Sequence, residues 1–135
     1  MSEPIMFTPD ISGDGDGMSY AVPDDLRLVR AFVTERALAL GMAENRIDLL
    51  TLAVSELTTN TLQHTTSGGH IRVWAEGGRL VCDVVDKGVE RPFGRAMPAA
   101  EAVRGRGLAI VERVCDDVYT TTVPGGTLVR ICLDL

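Results

Sequence analysis

Leu49-Leu-Thr-Leu-Ala-Val-Ser-Glu-Leu-Thr-Thr-Asn-Thr-Leu-Gln-His64 carries two patterns at once. Ile47, Leu50, Val54, Leu57 and Thr61 recur at helical spacing and make the side of a helix that a core takes up. Glu56, Asn60 and His64 stand four apart, and at about 100° per residue they stack on a second stripe. A carboxylate can take a proton, and an amide oxygen suits a hard cation such as Mg2+. Together they suggest chemistry on a phosphate, given an anion site nearby. Gly105-Arg106-Gly107 offers one.

Upstream, Met18 to Val22 alternates weakly and reads as a short strand. Pro23-Asp24-Asp25 opens a helix, with proline in the first turn and two acids at the positive end of the dipole. Leu26, Val29, Val33, Ala37 and Leu40 form its apolar stripe, and Gly41 ends it. The second helix runs from Ala43 to about His64, and Ser67-Gly68-Gly69 breaks it. Downstream, His70–Glu76 and Arg79–Asp86 are strands joined by Gly77-Gly78, a two-residue hairpin signal. Leu80, Cys82, Val84 and Asp86 share one face, and Val81, Asp83 and Val85 the other. Residues 87–104 hold Gly88, Pro92, Gly94 and Pro98 and read as a loop. A third helix spans Arg106 to about Asp117, with Leu108, Val111 and Cys115 facing in. Val118–Val123 and Thr127–Leu135 form a last hairpin around Pro124-Gly125-Gly126. Strands joined by tight turns make a mixed, mostly antiparallel sheet. Three helices on one of its faces give an α+β fold, a two-layer α/β sandwich.

The chain of 135 residues suffices for one domain with a core. Residues 1–17, ending in Gly13-Asp-Gly-Asp-Gly17, read as a flexible tail before a domain spanning 18–135. A calcium loop there fails for want of a later glutamate at the right distance. No apolar run approaches the roughly 20 residues of a membrane span. No basic stretch precedes an apolar one at the N-terminus, which argues for a cytoplasmic protein. A net charge of −6 argues against binding nucleic acid through a general basic surface. Cys82, Cys115 and Cys132 sit among aliphatic residues and read as small buried hydrophobes in a reducing compartment.

Three features carry the chemistry if they meet in space. One is the Glu56, Asn60, His64 stripe. The second is Asp86-Lys87-Gly88 at a strand end, where a carboxylate can accept from an exocyclic amine and a glycine lets the backbone approach a flat ring. The third is Gly105-Arg106-Gly107-Leu108 at a helix start, where free N–H groups attract phosphate. Each alone has a plain structural reading: a solvated helix face, a turn and a tight connection. His64 reads as a helix C-terminal residue that favours the local dipole, and His70 is left unassigned.

Taken in order, the three resemble the motifs of the gyrase, Hsp90, histidine-kinase and mismatch-repair ATPase superfamily. Glu56-x-x-x-Asn60-x-x-x-His64 resembles its first motif. Asp86-Lys-Gly88 resembles the start of its D-x-G-x-G motif, Gly105-Arg-Gly107-Leu108 its second glycine motif, and Gly126-Thr127 its late G-T pair. The stand-alone size and the phrases Leu52-Ala-Val-Ser-Glu-Leu-Thr-Thr-Asn60 and Gly105-Arg-Gly-Leu-Ala-Ile-Val-Glu112 are similar to those of bacterial anti-sigma factor serine/threonine kinases. The resemblance covers roughly residues 18–135.

That resemblance implies a histidine-kinase-like (Bergerat-type) ATPase domain that binds ATP and Mg2+. It also implies a sigma factor held inactive, an anti-anti-sigma factor phosphorylated on serine or threonine, and a homodimer, with no nucleic-acid or membrane partner. Carried over, Glu56 is the catalytic base and Asn60 holds Mg2+. Asp86 reads the adenine amine with Thr127 behind it, and Gly88 borders the base. Gly105, Arg106, Gly107 and Leu108 form the phosphate site, and Arg104 or Arg106 stabilises the transferring group. Glu90 stands where the second glycine of D-x-G-x-G belongs. Two readings therefore stand: an ATP-dependent kinase, and a binding module of the same fold that acts through protein contacts only.

Overall fold

A turn of two glycines fixes one register, and the rest of the sheet builds outward from it. The computed structural model describes residues 17–64, 68–86, 108–124 and 126–135, the side chains of His64 and Leu108 excepted. Its elements run β1 (Gly17–Tyr20), α1 (Asp25–Ala39), α2 (Glu44–His64), β2 (Gly69–Glu76), β3 (Arg79–Asp86), α3 (Leu108–Val114), β4 (Asp117–Val123) and β5 (Gly126–Asp134). Gly77 and Gly78 turn at φ of +61° and +79°, the left-handed conformation a tight hairpin asks of both central residues.

Among the described residues the five strands stand in the order β1-β2-β3-β5-β4, and each pairs with its neighbour antiparallel. The three helices among the described residues cover one face. Val29, Val33 and Ala37 of α1, Leu50, Ala53, Val54 and Leu57 of α2 and Val111 of α3 bury against Ile71, Val73, Leu80, Cys82, Val84, Val129, Ile131 and Leu133. This is the two-layer arrangement the hydrophobic periods predict. Fully burying such side chains is worth about 1.5–3 kcal/mol each.

Some boundaries differ from the sequence reading, for local reasons. β1 stops at Tyr20 because the Asp25 carboxylate accepts from the N–H groups of Ala21 and Val22, at 2.8 and 3.1 Å, and turns the chain into α1. α3 ends at Val114, not near Asp117. The Asp116 carboxylate accepts from the Asp134 N–H at 2.8 Å, and Asp117 bonds Arg79, so both residues are drawn to the sheet. The predicted tail and the 87–104 loop lie outside the described residues, except that Gly17 already belongs to β1.

The face of the sheet away from these described helices is less simple than the alternation suggests. Val81 and Asp83 are buried there as fully as the core-facing residues of β3. Asp83 and Arg130 face each other in register and make a bidentate pair at 2.6 and 2.7 Å, with only 6% and 8% of their side chains exposed. Arg130 and Arg72 each stack on the Trp74 ring, at 5.2 Å from its centroid. The indole and the guanidinium groups shield the ion pair, which explains how charges lie buried on a face that no described helix covers.

Removing one partner of such a pair strands the other. Asp83→Ala is expected to cost about 3–5 kcal/mol, and Asp83→Leu with Arg130→Met markedly less. Urea unfolding of the three proteins measures both; equal losses would refute the burial argument.

Asp116 gives a pH dependence. Its carboxyl lies below its ordinary 3.8, chiefly because of the Asp134 N–H and then the Arg46 guanidinium at 2.7 Å. A depressed carboxyl stabilises the fold above that ordinary value and loses the contribution as pH falls through the lower folded-state value. Asp116→Asn is expected to lose about 1 kcal/mol or less at neutral pH, and progressively less as pH falls below the ordinary 3.8, read from unfolding midpoints across pH.

Candidate functional site

Arg46, Leu49, Ala53, Glu56 and Asn60 follow one another at alternating spacings of three and four, so they share one flank of α2. The Arg46 guanidinium bonds the Asp116 carboxylate just beyond the end of α3, so α3 covers this flank. The end of α3 is tied to the start of α2, and the two helices pack along each other; they therefore run antiparallel. At 1.5 Å per residue, α3 rises about 10 Å, and Glu56 lies about 15 Å along α2 from Arg46. The start of α3 is directed toward the half of α2 that carries Glu56 and Asn60.

Glu56 is half-buried and Asn60 is buried, at 6% exposure. The Asn60 Nδ2 has no hydrogen-bond partner among the described residues. A buried polar group left so costs about 1–3 kcal/mol. A side-chain amide offers an oxygen suited to a hard cation and an N–H pair suited to phosphate oxygens, so Asn60 fits a metal-bound phosphate group.

The sheet supplies the opposite wall. Tyr20 pairs with Gly69, Gly69 with Asp86, Asp86 with Thr127 and Thr127 with Thr122, a continuous row across five strands. Tyr20, Asp86 and Thr127 are in phase with core residues of their strands, so this row faces the helices. Thr61, the residue after Asn60, stands beside the Tyr20 phenol and gives its own hydroxyl hydrogen to the Leu57 carbonyl at 3.0 Å. Burial pushes the Tyr20 phenol well above its usual range, and the Asp86 carboxylate adds to the push. The C-terminal half of α2 thus lies over the end of the sheet that carries Asp86 and Thr127.

Of the predicted residues, Glu56 and Asn60 share a flank, and Asp86 and Thr127 are direct cross-strand partners. Gly88, Glu90, Arg104, Gly105, Arg106 and Gly107 lie outside the described residues, as do the side chains of His64 and Leu108. His70 points to the side of the sheet away from the described helices, near Ser19 Oγ at 3.0 Å. A shallow groove between α1 and α2, lined by Leu28, Phe32 and Thr51, is on the other flank of α2. Tyr20, Thr61 and Gly69 were not anticipated here. Counting eight residues outward from each side of the Gly77-Gly78 turn would have set Gly69 opposite Asp86.

A family model described as histidine kinase-like ATPase domain matches residues 20–133. The chain belongs to the histidine kinase-like ATPase domain family. Among solved structures, the RsbU and RsbW domains of Rv1364c from Mycobacterium tuberculosis are similar to it, with a TM-score of 0.66 and 21% sequence identity. That match covers 88% of this chain and 32% of the other, so this chain spans about a third of its neighbour's length; at that identity it speaks for the fold. No curated protein matches. The described part of the ATPase domain contains no helix long and apolar enough to cross a membrane.

Among the described residues of this ATPase domain the unpartnered Asn60 Nδ2 is a local cost. Asn60→Leu is therefore expected to match or exceed the parent in stability, by up to about 1 kcal/mol, while losing any stabilisation by Mg-ATP. Thermal unfolding with and without Mg-ATP checks both halves. A less stable variant that still responds to nucleotide would contradict the assignment.

Proposed function

We propose that this ATPase domain is an anti-sigma factor with ATP-dependent protein serine/threonine kinase activity. In this reading it sequesters a sigma factor in the cytoplasm and phosphorylates a serine or threonine of an anti-anti-sigma partner, as a homodimer. The observation that carries the reading is the placement of Glu56 and Asn60 on the α2 flank that meets α3, over the row holding Asp86 and Thr127. The motif resemblance to the anti-sigma kinases supports the finer assignment. So does the likeness to a protein whose structure includes an RsbW domain beside an RsbU domain.

ATP is bound with its adenine amine against the Asp86 carboxylate, Thr127 behind that carboxylate and Gly88 beside the ring. Asn60 holds Mg2+, which when bound offsets phosphate charge. Gly105, Arg106, Gly107 and Leu108 would hold the phosphates, as the resemblance of this glycine motif implies. Glu56 orients the partner's hydroxyl and takes its proton. Little covalent work falls to the protein, because phosphoryl transfer depends mainly on positioning and charge neutralisation. Glu90 favours a second reading, a binding module of the same fold that acts through protein contacts alone.

Mg-ATP is expected to raise the unfolding midpoint, with about 2.7 kcal/mol of stabilisation at a hundredfold excess over Kd. Glu56→Ala should keep that shift and lose phosphate transfer to a cognate anti-anti-sigma protein by roughly 10²–10⁴-fold. Calorimetric titration and a labelled-phosphate assay read the two separately. Wild-type transfer by the variant removes Glu56 from the mechanism, and no shift with millimolar Mg-ATP leaves the binding module.

A further inference from the structure

Tyr20 is 2% exposed, yet its Oη has no hydrogen bond of good geometry among the described residues. If packing alone were required, phenylalanine would serve without burying a hydroxyl, which costs about 1–3 kcal/mol when unpaired. The surroundings show where the hydroxyl is directed. In the cross-sheet row, Gly69 separates Tyr20 from Asp86. A Cβ at Gly69 would come within 2.6 Å of the Tyr20 Oη and 2.8 Å of its Cζ. The tyrosine therefore lies across the glycine, along the line to Asp86, in space that any other residue at 69 would fill. On its other side, Thr61 gives its hydroxyl hydrogen to Leu57, so its oxygen is the competing acceptor for the phenol, in a contact that falls short of hydrogen-bond geometry.

A carboxylate that reads a purine amine must keep one oxygen facing the ligand. A donor on the far side of the carboxylate fixes that orientation, and a phenol buried in the same row is such a donor. We infer that Tyr20, reaching across Gly69, is a positioning residue that orients the Asp86 carboxylate for recognition of an aminopurine nucleotide. The inference rests on Asp86 being the base-reading group proposed above. The gap at Gly69 and the hydroxyl of Tyr20 are two parts of one device: the first gives passage, the second gives the hydrogen.

Two measurements on the full chain test it. The first needs no ligand: a double-mutant cycle of Tyr20→Phe and Asp86→Ala in urea unfolding. Tyr20→Phe should lower the midpoint in the parent, and in the Asp86→Ala background should leave it unchanged or raise it. Additive changes overturn the inference. The second compares binding of ATP with that of purine riboside triphosphate, which lacks the 6-amino group. The parent should prefer ATP, and Tyr20→Phe should cut that preference roughly tenfold while its affinity for the analogue stays within about twofold. Equal losses for both nucleotides show a merely structural tyrosine and overturn the inference. Failure of the parent to bind ATP overturns the base-reading role of Asp86 and the inference with it. ATP binding with an additive cycle removes only Tyr20.

Discussion

Burial of one side of α2 is the constraint from which the rest of the molecule follows. Leu50, Ala53 and Val54 have no exposed surface, and they do so because α2 lies on the sheet between α1 on one flank and α3 on the other. Beyond its first turn, and among the described residues, only a narrow stripe of this 21-residue helix, Asp48, Leu52, Thr59 and Gln63, faces solvent. Its polar residues are therefore held where packing puts them. Glu56 and Asn60 face the α3 side as a consequence of Leu50, Val54 and Leu57 facing the sheet, since helical geometry allows no independent adjustment. A group needed for positioning gains from this: its backbone cannot drift without opening the core.

The second constraint is register. In an antiparallel sheet a single turn fixes every pair between two strands, and a slip of one residue would send Asp86 to the opposite face. Asp86 reaches Gly69 on one side and Thr127 on the other only because two registers agree, one set at Gly77-Gly78 and one where β5 enters beside β3. The polar row also lies at the end of its strands, where the apolar run Leu80, Cys82, Val84 gives out. It combines rigid backbone with access to a ligand, which neither a mid-sheet position nor a free loop provides.

The helices and the β2–β3 hairpin could be read from spacing alone, because their signals are local. α2 has a long, regular apolar period, and Gly77-Gly78 has one natural turn geometry. Asp86 and Thr127 could be singled out as chemical candidates for the same reason: each sits in a short motif. What could not be read was distant in sequence. β5 enters the sheet between β3 and β4, so the last hairpin is placed with β4 outermost. Asp83 looks like an outward polar residue in an alternating strand, and only the arrival of Arg130 and the Trp74 stack turns it into half of a buried pair. In sequence Tyr20 is one residue of a weakly alternating strand from Met18 to Val22; its relation to Asp86 depends on a glycine 49 positions later.

The Trp74 stack has a practical consequence. The chain has one tryptophan, and it lies against two guanidinium groups on the sheet face away from the described helices. Its emission is therefore a single-site optical signal, governed by whether β2, β3 and β5 are still side by side. The molecule carries a native fluorophore whose colour and intensity report the integrity of its central strands, with no label added.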